Sequence, residues 1–405
     1  MFNPKISKSL YLLPLLLWLL LAAPASAALL DFVQVVKDGQ DGVDGLAGAW
    51  SVAVSPDGSH LYAASFSDET VAVFSRNATT GALTFVEAQK DGVGGVDGLG
   101  GARLVTVSPD GSHLYVASQG DRAVAVFSRN ATTGALTFVE MQRDGVNGVD
   151  GLNGAFSVAV SPDGQHLYTA GSSDEAVAVF SRNATTGALT FVEMQKDGVN
   201  GVDGLNGARS VTVSPDGSHL YAASSGDDAV AVFSRNATTG ALTFVEAQKD
   251  GLNGVDGLNG AFSVAVSSDG KHLYAASSDD DAVAVFSRNA TTGALTFVEA
   301  QKDGLNDVDG LNGAFSVAVS SDGKHLYAAG SDDNAVAVFS RNATSGALAF
   351  VEMKQDGVDG VDGLATAISV AVSPDGKHLY TTGFTDNAVA VFLANQTAYL
   401  PLIFK

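Results

Sequence analysis

Seven histidines, His60, His113, His166, His219, His272, His325 and His378, are the only imidazoles in the chain, and each stands two residues after the glycine of an Asp-Gly turn. Imidazole titrates near neutral pH and is the commonest general base in enzymes. One active site needs one base with its own partners, so seven copies at one sequence position describe a structural group, a hydrogen-bonded histidine at the start of a strand. The Ser, Asp and His of Ser161-Pro-Asp-Gly-Gln-His166 have the composition of a hydrolytic triad without its logic. They are adjacent around a turn and recur with small changes in every unit, and nothing marks an activated nucleophile. Asp68, Asp121, Asp174, Asp227, Asp280, Asp333 and Asp386 recur at the same spacing and read as carboxylates that cap a turn before a strand. The Gly-x-x-Gly elements are not phosphate loops, because no helix follows to supply an N-terminus.

A second set of polar residues is more unusual. The run Asp144-Gly-Val, Asn147-Gly-Val, Asp150-Gly-Leu, Asn153-Gly-Ala repeats an oxygen-bearing side chain, a glycine and an apolar residue. The same run carries Asp197, Asn200 and Asp203, then Asp250, Asn253 and Asp256. Related runs hold Asp38, Asp41 and Asp44; Asp91 and Asp97; Asp303 and Asp309; and Asp356, Asp359 and Asp362. A period of three suits a polyproline-II-like or 3₁₀-like path with Val, Val and Leu on one face and the oxygens on another. Hard oxygen ligands in such numbers fit Ca²⁺, the one cofactor the sequence suggests, although the spacing is not that of established calcium loops. The alternative is a solvated loop in which Asp and Asn tie their own backbone. Either way, negative potential gathers on one rim, favouring cations over phosphorylated ligands.

Few residues break the repetition. At one position the units carry Trp50, Arg103, Phe156, Arg209, Phe262, Phe315 and Ile368, and Phe66 and Phe384 replace small residues at two turns. Guanidinium groups pair with carboxylates and aromatic rings stack on sugars, so Trp50, Arg103, Phe156, Arg209, Phe262 and Phe315 form the candidate ligand set. Asn-Ala-Thr, at Asn77, Asn130, Asn183, Asn236, Asn289 and Asn342, and Asn395-Gln-Thr read as turns rather than glycan acceptors.

The elements that position these residues follow from the period. The Asp-Gly turns fall at Asp57, Asp110, Asp163, Asp216, Asp269, Asp322 and Asp375, 53 residues apart throughout. One unit predicts four strands, Ser157–Ser161, His166–Ala170, Ala176–Phe180 and Leu189–Glu193, joined by short hairpins. Weak alternation of Val and Ala fits sheets buried on both faces. Seven such sheets predict an all-β, seven-bladed β-propeller of four-stranded antiparallel blades over residues 28–398. Leu30–Asp38 aligns with a fourth strand that the last unit lacks, so the N-terminal strand is expected to close the ring. The ligand set then lies at the mouth of the central channel.

Residues 1–27 read as a secretory signal peptide, with Lys5 and Lys8, an apolar run from Leu10 to Ala23 and an Ala25-Ser26-Ala27 cleavage pattern. Residues 399–405 form an apolar tail that is a rival for the closing slot, with Pro401 arguing for an edge position. The expectation is therefore an exported monomer with no membrane span after cleavage. The chain of 405 residues has no cysteine and a net charge of −22. That excludes disulfides, thiolate zinc sites and a cysteine nucleophile, and makes nucleic acid an unsuitable partner.

Ser-Val-Ala-Val-Ser-Pro-Asp-Gly-x-His-Leu-Tyr, followed by Ala-Val-Ala-Val-Phe-Ser-Arg and Thr-Gly-Ala-Leu, resembles the YVTN-type and lactonase-like seven-bladed propellers of bacteria, some of which are similar to 6-phosphogluconolactonase. The resemblance implies the fold and a sugar-lactone hydrolase in which His or Arg faces the channel; here only Arg103 and Arg209 fit. No general base stands out, and export separates the chain from a cytosolic phosphosugar. The leading expectation is thus a non-enzymatic binding or surface-interaction protein for a protein, glycan or small anionic ligand, with no catalytic residue assigned. A lactonase-like hydrolase with Arg103 and Arg209 holding the substrate is the alternative, and a structural envelope component the third.

Overall fold

The computed structural model describes residues 29–395, which form twenty-eight strands in seven four-stranded antiparallel sheets and no helix. The segments read as signal peptide and as apolar tail lie outside the described residues. Blade one runs outward from the axis as β2 (Ala49–Val54), β3 (His60–Ser65), β4 (Thr70–Arg76) and β5 (Leu83–Lys90). Blades two to six repeat it from Ala102, Ala155, Ala208, Ala261 and Ala314. Blade seven joins β26 (Ala367–Val372), β27 (His378–Gly383) and β28 (Ala388–Ala394) to the N-terminal β1 (Leu30–Lys37). β1 pairs antiparallel with β28, from Leu30 opposite Ala394 to Lys37 opposite Ala388, so the N-terminal strand takes the closing slot as expected.

The composition of the middle strands explains the stacking. All six residues of β3 are buried, and Ala63, Ala64 and Ala72 are small enough for neighbouring sheets to approach closely. Tyr62, Val71 and Val73 of blade one pack against Val105, Leu114, Val116 and Phe127 of blade two, and each seam repeats the arrangement. Burial of each such Val, Leu or Phe contributes about 1.5–3 kcal/mol. Within a blade, Phe74 meets Phe85 edge-on at 5.7 Å. In the outer strand Leu83 is buried and Thr84, Phe85, Val86 and Glu87 alternate between exposed and half-buried, because only one of its faces is covered.

Two polar staples cross the seams in place of disulfides. The arginine ending the third strand of one blade reaches the preceding blade. Arg129 of blade two donates through Nε to Tyr62 Oη at 2.6 Å and through Nη2 to Asp57 Oδ2 at 2.8 Å, and its Nη2 lies 2.9 Å from His60 Nδ1. Arg76, Arg182, Arg235, Arg288 and Arg341 do the same, and their side chains are 1% exposed. The guanidinium donates, so Nδ1 accepts and the imidazole is neutral. Burial and the adjacent arginine both push the His60 pKa down. Six of the seven histidines are thus hydrogen-bonded at the start of a strand, with arginine as the partner. Burial alone would raise the Asp57 carboxyl, but bonds from Ser55, Ser59 and Arg129 outweigh it and hold it far below the ordinary range.

The second staple lies at the periphery. Glu87 Oε1 accepts from the Leu136 amide of the next blade at 2.8 Å, and Glu352 accepts from Leu30 at 2.7 Å. Gln34 Oε1 completes the circle by accepting from Leu83 at 3.0 Å.

Candidate functional site at the channel mouth

Every blade opens with a β-bulge. Pairing in blade one passes from Ala49–Ser65 to Ser51–Ala64, leaving Trp50 as the extra residue. The same skip isolates Arg103, Phe156, Arg209, Phe262, Phe315 and Ile368. A bulge bends the strand and re-aims the extra side chain. Repeated around the ring, it brings residues from different blades together. Trp50 lies 5.7 Å from Phe156, Phe156 5.3 Å from Phe262, and Phe262 4.2 Å from Phe315 between ring centroids. Phe66 and Phe384 flank Trp50 at 6.2 and 5.6 Å. The structure therefore assembles the ligand set inferred from the sequence into one cluster.

The two arginines lie on these rings. The Arg103 guanidinium carbon is 3.6 Å from the Trp50 ring centroid, 4.2 Å from Phe66 and 4.8 Å from Phe156. Arg209 lies 4.8 Å from Phe156 and 5.7 Å from Phe262. Stacking of this kind favours Arg over Lys, because the guanidinium is planar and weakly hydrated. Gln119 Oε1 fixes Arg103 by accepting from Nε at 2.9 Å and Nη2 at 2.6 Å, and Ser225 Oγ accepts from Arg209 Nε at 3.0 Å. Arg103 Nη1 is buried without a hydrogen-bond partner, and among the described residues neither arginine has a carboxylate partner. Burial and the Arg209 charge together push the Arg103 pKa down to about 10.

Below the mouth lies a cavity of about 50 Å³ lined by Ser51, Ser210, Ser263, Ser316 and Ser369 as well as the rings. Ser51 Oγ accepts from the Val105 amide of the next blade at 3.0 Å, and Ser157, Ser210, Ser263 and Ser316 repeat the bond. Blade two has Leu104 at this position. Gln119, Ser225 and the serine belt were not singled out from the sequence. The belt is as repetitive as the strand motif, and Gln119 lies 16 residues from the arginine it holds.

The connectors surround this face and depart from the expected path. Gly39, Gly42, Gly45 and Gly48 have φ between +66° and +89°, so the run is a chain of tight turns rather than a polyproline-II or 3₁₀ path. The expected single apolar face is divided. Val149 and Leu152 are buried, whereas Val146 is 46% exposed. The first Asp locks the loop. Asp38 Oδ1 accepts from the Leu46 amide at 2.9 Å, and Asp91, Asp144, Asp197, Asp250, Asp303 and Asp356 do the same eight residues on. Asp68 reaches out of its own turn to the Ala47 amide at 2.8 Å. Three carboxylates thereby converge, their oxygens within 4.8 Å, in Asp38/Asp44/Asp68, Asp91/Asp97/Asp121, Asp144/Asp150/Asp174, Asp197/Asp203/Asp227, Asp250/Asp256/Asp280 and two further clusters. Asp41, Asn147, Asn200, Asn253 and Asp359 instead take left-handed positions at loop tips, with φ of +50° to +54°.

Four clusters already hold a cation from the outer strand of the same blade. Lys37 lies 2.7 Å from Asp362, Arg143 2.9 Å from Asp121, Lys249 2.7 Å from Asp203 and Lys302 2.8 Å from Asp256. Blade six has Gln355 at that position. There burial and the charges of Asp303, Asp309 and Asp281 push the Asp333 carboxyl up.

With the geometry in place, comparison with known proteins identifies the relatives. The family model for the seven-bladed β-propeller lactonases matches residues 20–150, 101–256, 154–304 and 249–362 in overlapping segments, as a 53-residue period allows. The 6-phosphogluconolactonase of Klebsiella pneumoniae (strain 342) is 25% identical over 339 residues, 82% of this chain and 90% of the relative. The periplasmic gluconolactonase of Pseudomonas aeruginosa superposes with a TM-score of 0.62 at 22% identity, covering 76% of this chain and 86% of that one. Kuenenia stuttgartiensis hydrazine synthase superposes with a TM-score of 0.61 at 21% identity over 88% and 99% of the two chains. At that identity the structural likenesses report the fold alone.

The family match and the Klebsiella relative correct the leading functional expectation. A non-enzymatic binding or surface-interaction protein is overturned in favour of the lactonase-like alternative, because the relatives carry names of lactone hydrolysis. The missing general base had argued against an enzyme. The bulged mouth, the repeated blade and the matched segments lead to one conclusion: this chain belongs to the lactonase family of seven-bladed β-propellers.

Proposed function

We propose that the protein hydrolyses a sugar lactone at the channel mouth, with Arg103 and Arg209 binding and polarising it. The observation that carries this reading is a pair of stacked guanidinium groups at one mouth, with Arg103 Nη1 lacking any acceptor. Water adds to the lactone carbonyl carbon, and the carbonyl electron pair moves onto oxygen. Collapse of the tetrahedral oxyanion breaks the ring C–O bond. The products are a carboxylate and an alcohol, and one proton leaves to solvent. A guanidinium aimed at the developing oxyanion lowers this barrier, and the aromatic floor stacks on the sugar ring. The lining of the cavity below the mouth holds Arg209 and a belt of serines but no His, Asp or Glu, and this reading assigns the arginines electrophilic assistance.

The acidic connectors surrounding the mouth disfavour a dianionic phosphate, so an unphosphorylated aldonolactone is the favoured substrate class. Export as a monomer belongs to the same reading. Residues 1–27 have the pattern of a signal peptide, a related protein of Pseudomonas aeruginosa is named periplasmic, and the ring closes on its own N-terminal strand. No helix among the described residues is long and apolar enough to cross a membrane. The test is proton release from a panel of aldonolactones. Hydrolysis above the buffer rate that falls in Arg103→Ala and Arg209→Ala is expected, and a rate equal to buffer for every lactone would overturn the assignment.

A further inference from the structure

Each connector passes through a two-residue turn at its tip, and three of these turns are Asn-Gly. Asn147-Gly148, Asn200-Gly201 and Asn253-Gly254 have φ of +52° to +54° at Asn and +80° to +82° at Gly. Both central residues are left-handed, as in a type I′ turn. A single backbone bond closes each one: the Val149 amide donates to the Val146 carbonyl at 3.0 Å, Val202 to Val199 at 3.0 Å and Val255 to Leu252 at 2.9 Å. Both turn residues are exposed. Among the described residues, neither the Asn side chain nor the Gly amide has a hydrogen-bond partner at these three tips. Apart from chain neighbours, no heavy atom lies within 4 Å of the place a Cβ on these glycines would take.

The same dipeptide stands elsewhere in the connectors in a different setting. Asn259-Gly260 and Asn312-Gly313 lie where the connector meets the next blade. There the Gly260 amide donates to Asp228 Oδ1 and the Gly313 amide to Asp281 Oδ1, both at 2.8 Å. Both glycines are buried, and Asn259 and Asn312 are half-buried. A fourth tip, Asn306-Asp307, keeps the turn with φ of +53° and +63°, and the Val308 amide donates to the Leu305 carbonyl at 3.0 Å. Its second residue carries a carboxylate side chain in place of the glycine hydrogen.

We propose that Asn147, Asn200 and Asn253 are sites of spontaneous deamidation through a succinimide, so that the charge of the connector face changes as the protein ages. The glycine nitrogen attacks Asn Cγ. The N–Cγ bond forms, the Cγ–Nδ2 bond breaks, and the glycine amide proton leaves with the amino group as ammonia. Water then adds to one imide carbonyl and opens the ring, to aspartate through one carbonyl and to isoaspartate through the other. Water enters and ammonia leaves, and no oxidant, reductant or cofactor takes part. Glycine permits the attack because no Cβ crowds its nitrogen, and at the tips that nitrogen gives up no hydrogen bond. Each event adds one carboxylate to connectors that surround the mouth, where negative potential already gathers. The fold accepts aspartate at this position, since Asp41-Gly42 and Asp359-Gly360 occupy corresponding turns with φ of +50° and +52° at Asp. Isoaspartate instead adds a backbone atom to a two-residue turn. These sites are separate from the channel-mouth arginines and do not depend on the lactonase reading.

The test incubates the full chain at mildly alkaline pH and digests it with trypsin. The fragments beginning at Asp144, Asp197, Asp250 and Asp303 differ in sequence, so each asparagine is read separately. Mass spectrometry follows the conversion, and electron-transfer fragmentation tells isoaspartate from aspartate. In the folded chain Asn253 is expected to react about tenfold faster than Asn259 of the same fragment, the equivalent of roughly 1.4 kcal/mol and the scale of one hydrogen bond to a charged group. In urea the two rates are expected to converge, because Gly follows both. Asn306 is expected to be slow, and Asp307→Gly, which restores the dipeptide of the other turns, is expected to make it a fourth fast site. No conversion at the three tips, equal rates at Asn253 and Asn259 in the folded chain, aspartate without isoaspartate, or an Asn306 that stays slow in Asp307→Gly would each overturn the proposal.

Discussion

Replacing Arg182 by alanine tests whether the arginine staples hold the ring. The guanidinium is 1% exposed and crosses from blade three to blade two. Its Nε donates to Tyr115 Oη at 2.6 Å, its Nη1 to the Gly164 carbonyl at 2.8 Å and its Nη2 to Asp110 Oδ2 at 2.9 Å, with His113 Nδ1 also 2.9 Å from Nη2. Removal leaves unequal damage. Tyr115 keeps its bond to the Gly187 carbonyl at 2.9 Å and loses only an incoming donor. The Asp110 side chain is 44% exposed, so water replaces much of what it loses. The Gly164 carbonyl and the His113 nitrogen lose a donor in a buried place, about 1–3 kcal/mol each. With the Asp110 contact discounted for solvent screening and Ser112 Oγ still 2.8 Å from His113 Nδ1, the total is roughly 2–4 kcal/mol, the lower part of the sum of the two losses. Urea unfolding followed by tryptophan fluorescence and far-UV dichroism measures it. A lower midpoint with an unchanged slope is expected. A loss under about 0.5 kcal/mol, the scale of an ordinary surface substitution, would refute the staple and assign the seams to their apolar faces.

Further outcomes follow from the same geometry. Arg103→Ala and Arg209→Ala are each expected to lower kcat/KM on the best lactone by about 10²–10³, the effect of losing one oxyanion donor, with melting temperature nearly unchanged; an unchanged kcat/KM in both would remove them from the site. The stapled histidines have pKa values pushed down by burial and by arginine from an ordinary 6.5. Their contribution is complete above that value and is lost as pH falls below it, because the unfolded chain binds protons that the folded chain refuses. Asp216, held at about 2, adds a second loss as pH falls from its ordinary 3.8 toward that value. The melting temperature is thus expected to fall from about pH 6.5 downward, and a flat profile to about pH 5 would contradict the neutral histidines. Four carboxylate clusters already hold a Lys or Arg, so a calcium titration by calorimetry is expected to bind fewer than seven ions, and seven equal sites would show that those cations are displaced. Gly187→Ala adds a methyl at φ +78° directly against the His113 ring, and a marked fall in melting temperature is expected.

The period, the blade and the closing strand were legible because they depend on local rules. Asp-Gly turns at fixed intervals mark hairpins, and Leu30–Lys37 matches Leu83–Lys90 by eye. The mouth was legible as an aligned column of unlike residues, although the bulge that turns them to the axis leaves no trace in a single strand. The staples were not legible. Arg129 stands in a motif that reads as the end of a strand, and its acid partner is 72 residues away. The replacement of that arginine in the last blade is written plainly as Phe392-Leu-Ala394 against Phe339-Ser-Arg341, yet it means nothing until the function of the arginine is known. The connector path was misjudged because a three-residue period was assigned to a regular helix, whereas positive φ at its glycines builds successive turns.

Closure by β1 also sets the order of events during synthesis. Leu30 pairs with Ala394, so the first strand made waits for the last. Tethering ends so far apart costs about 5 kcal/mol in chain entropy, against about 3.5 kcal/mol for ends one repeat apart. That difference is small beside the stacked seams, so thermodynamics favours the finished ring. Kinetics leaves a gap in it. Until β1 arrives, β28 exposes an unpaired edge, and outer strands of nearly the same sequence are available from any neighbouring molecule. The last slot of the propeller is therefore the place where two growing chains would exchange strands, since Gln34 offers the Leu83 amide the same bond that Glu87 offers Leu136 and gives β1 no bond its copies lack.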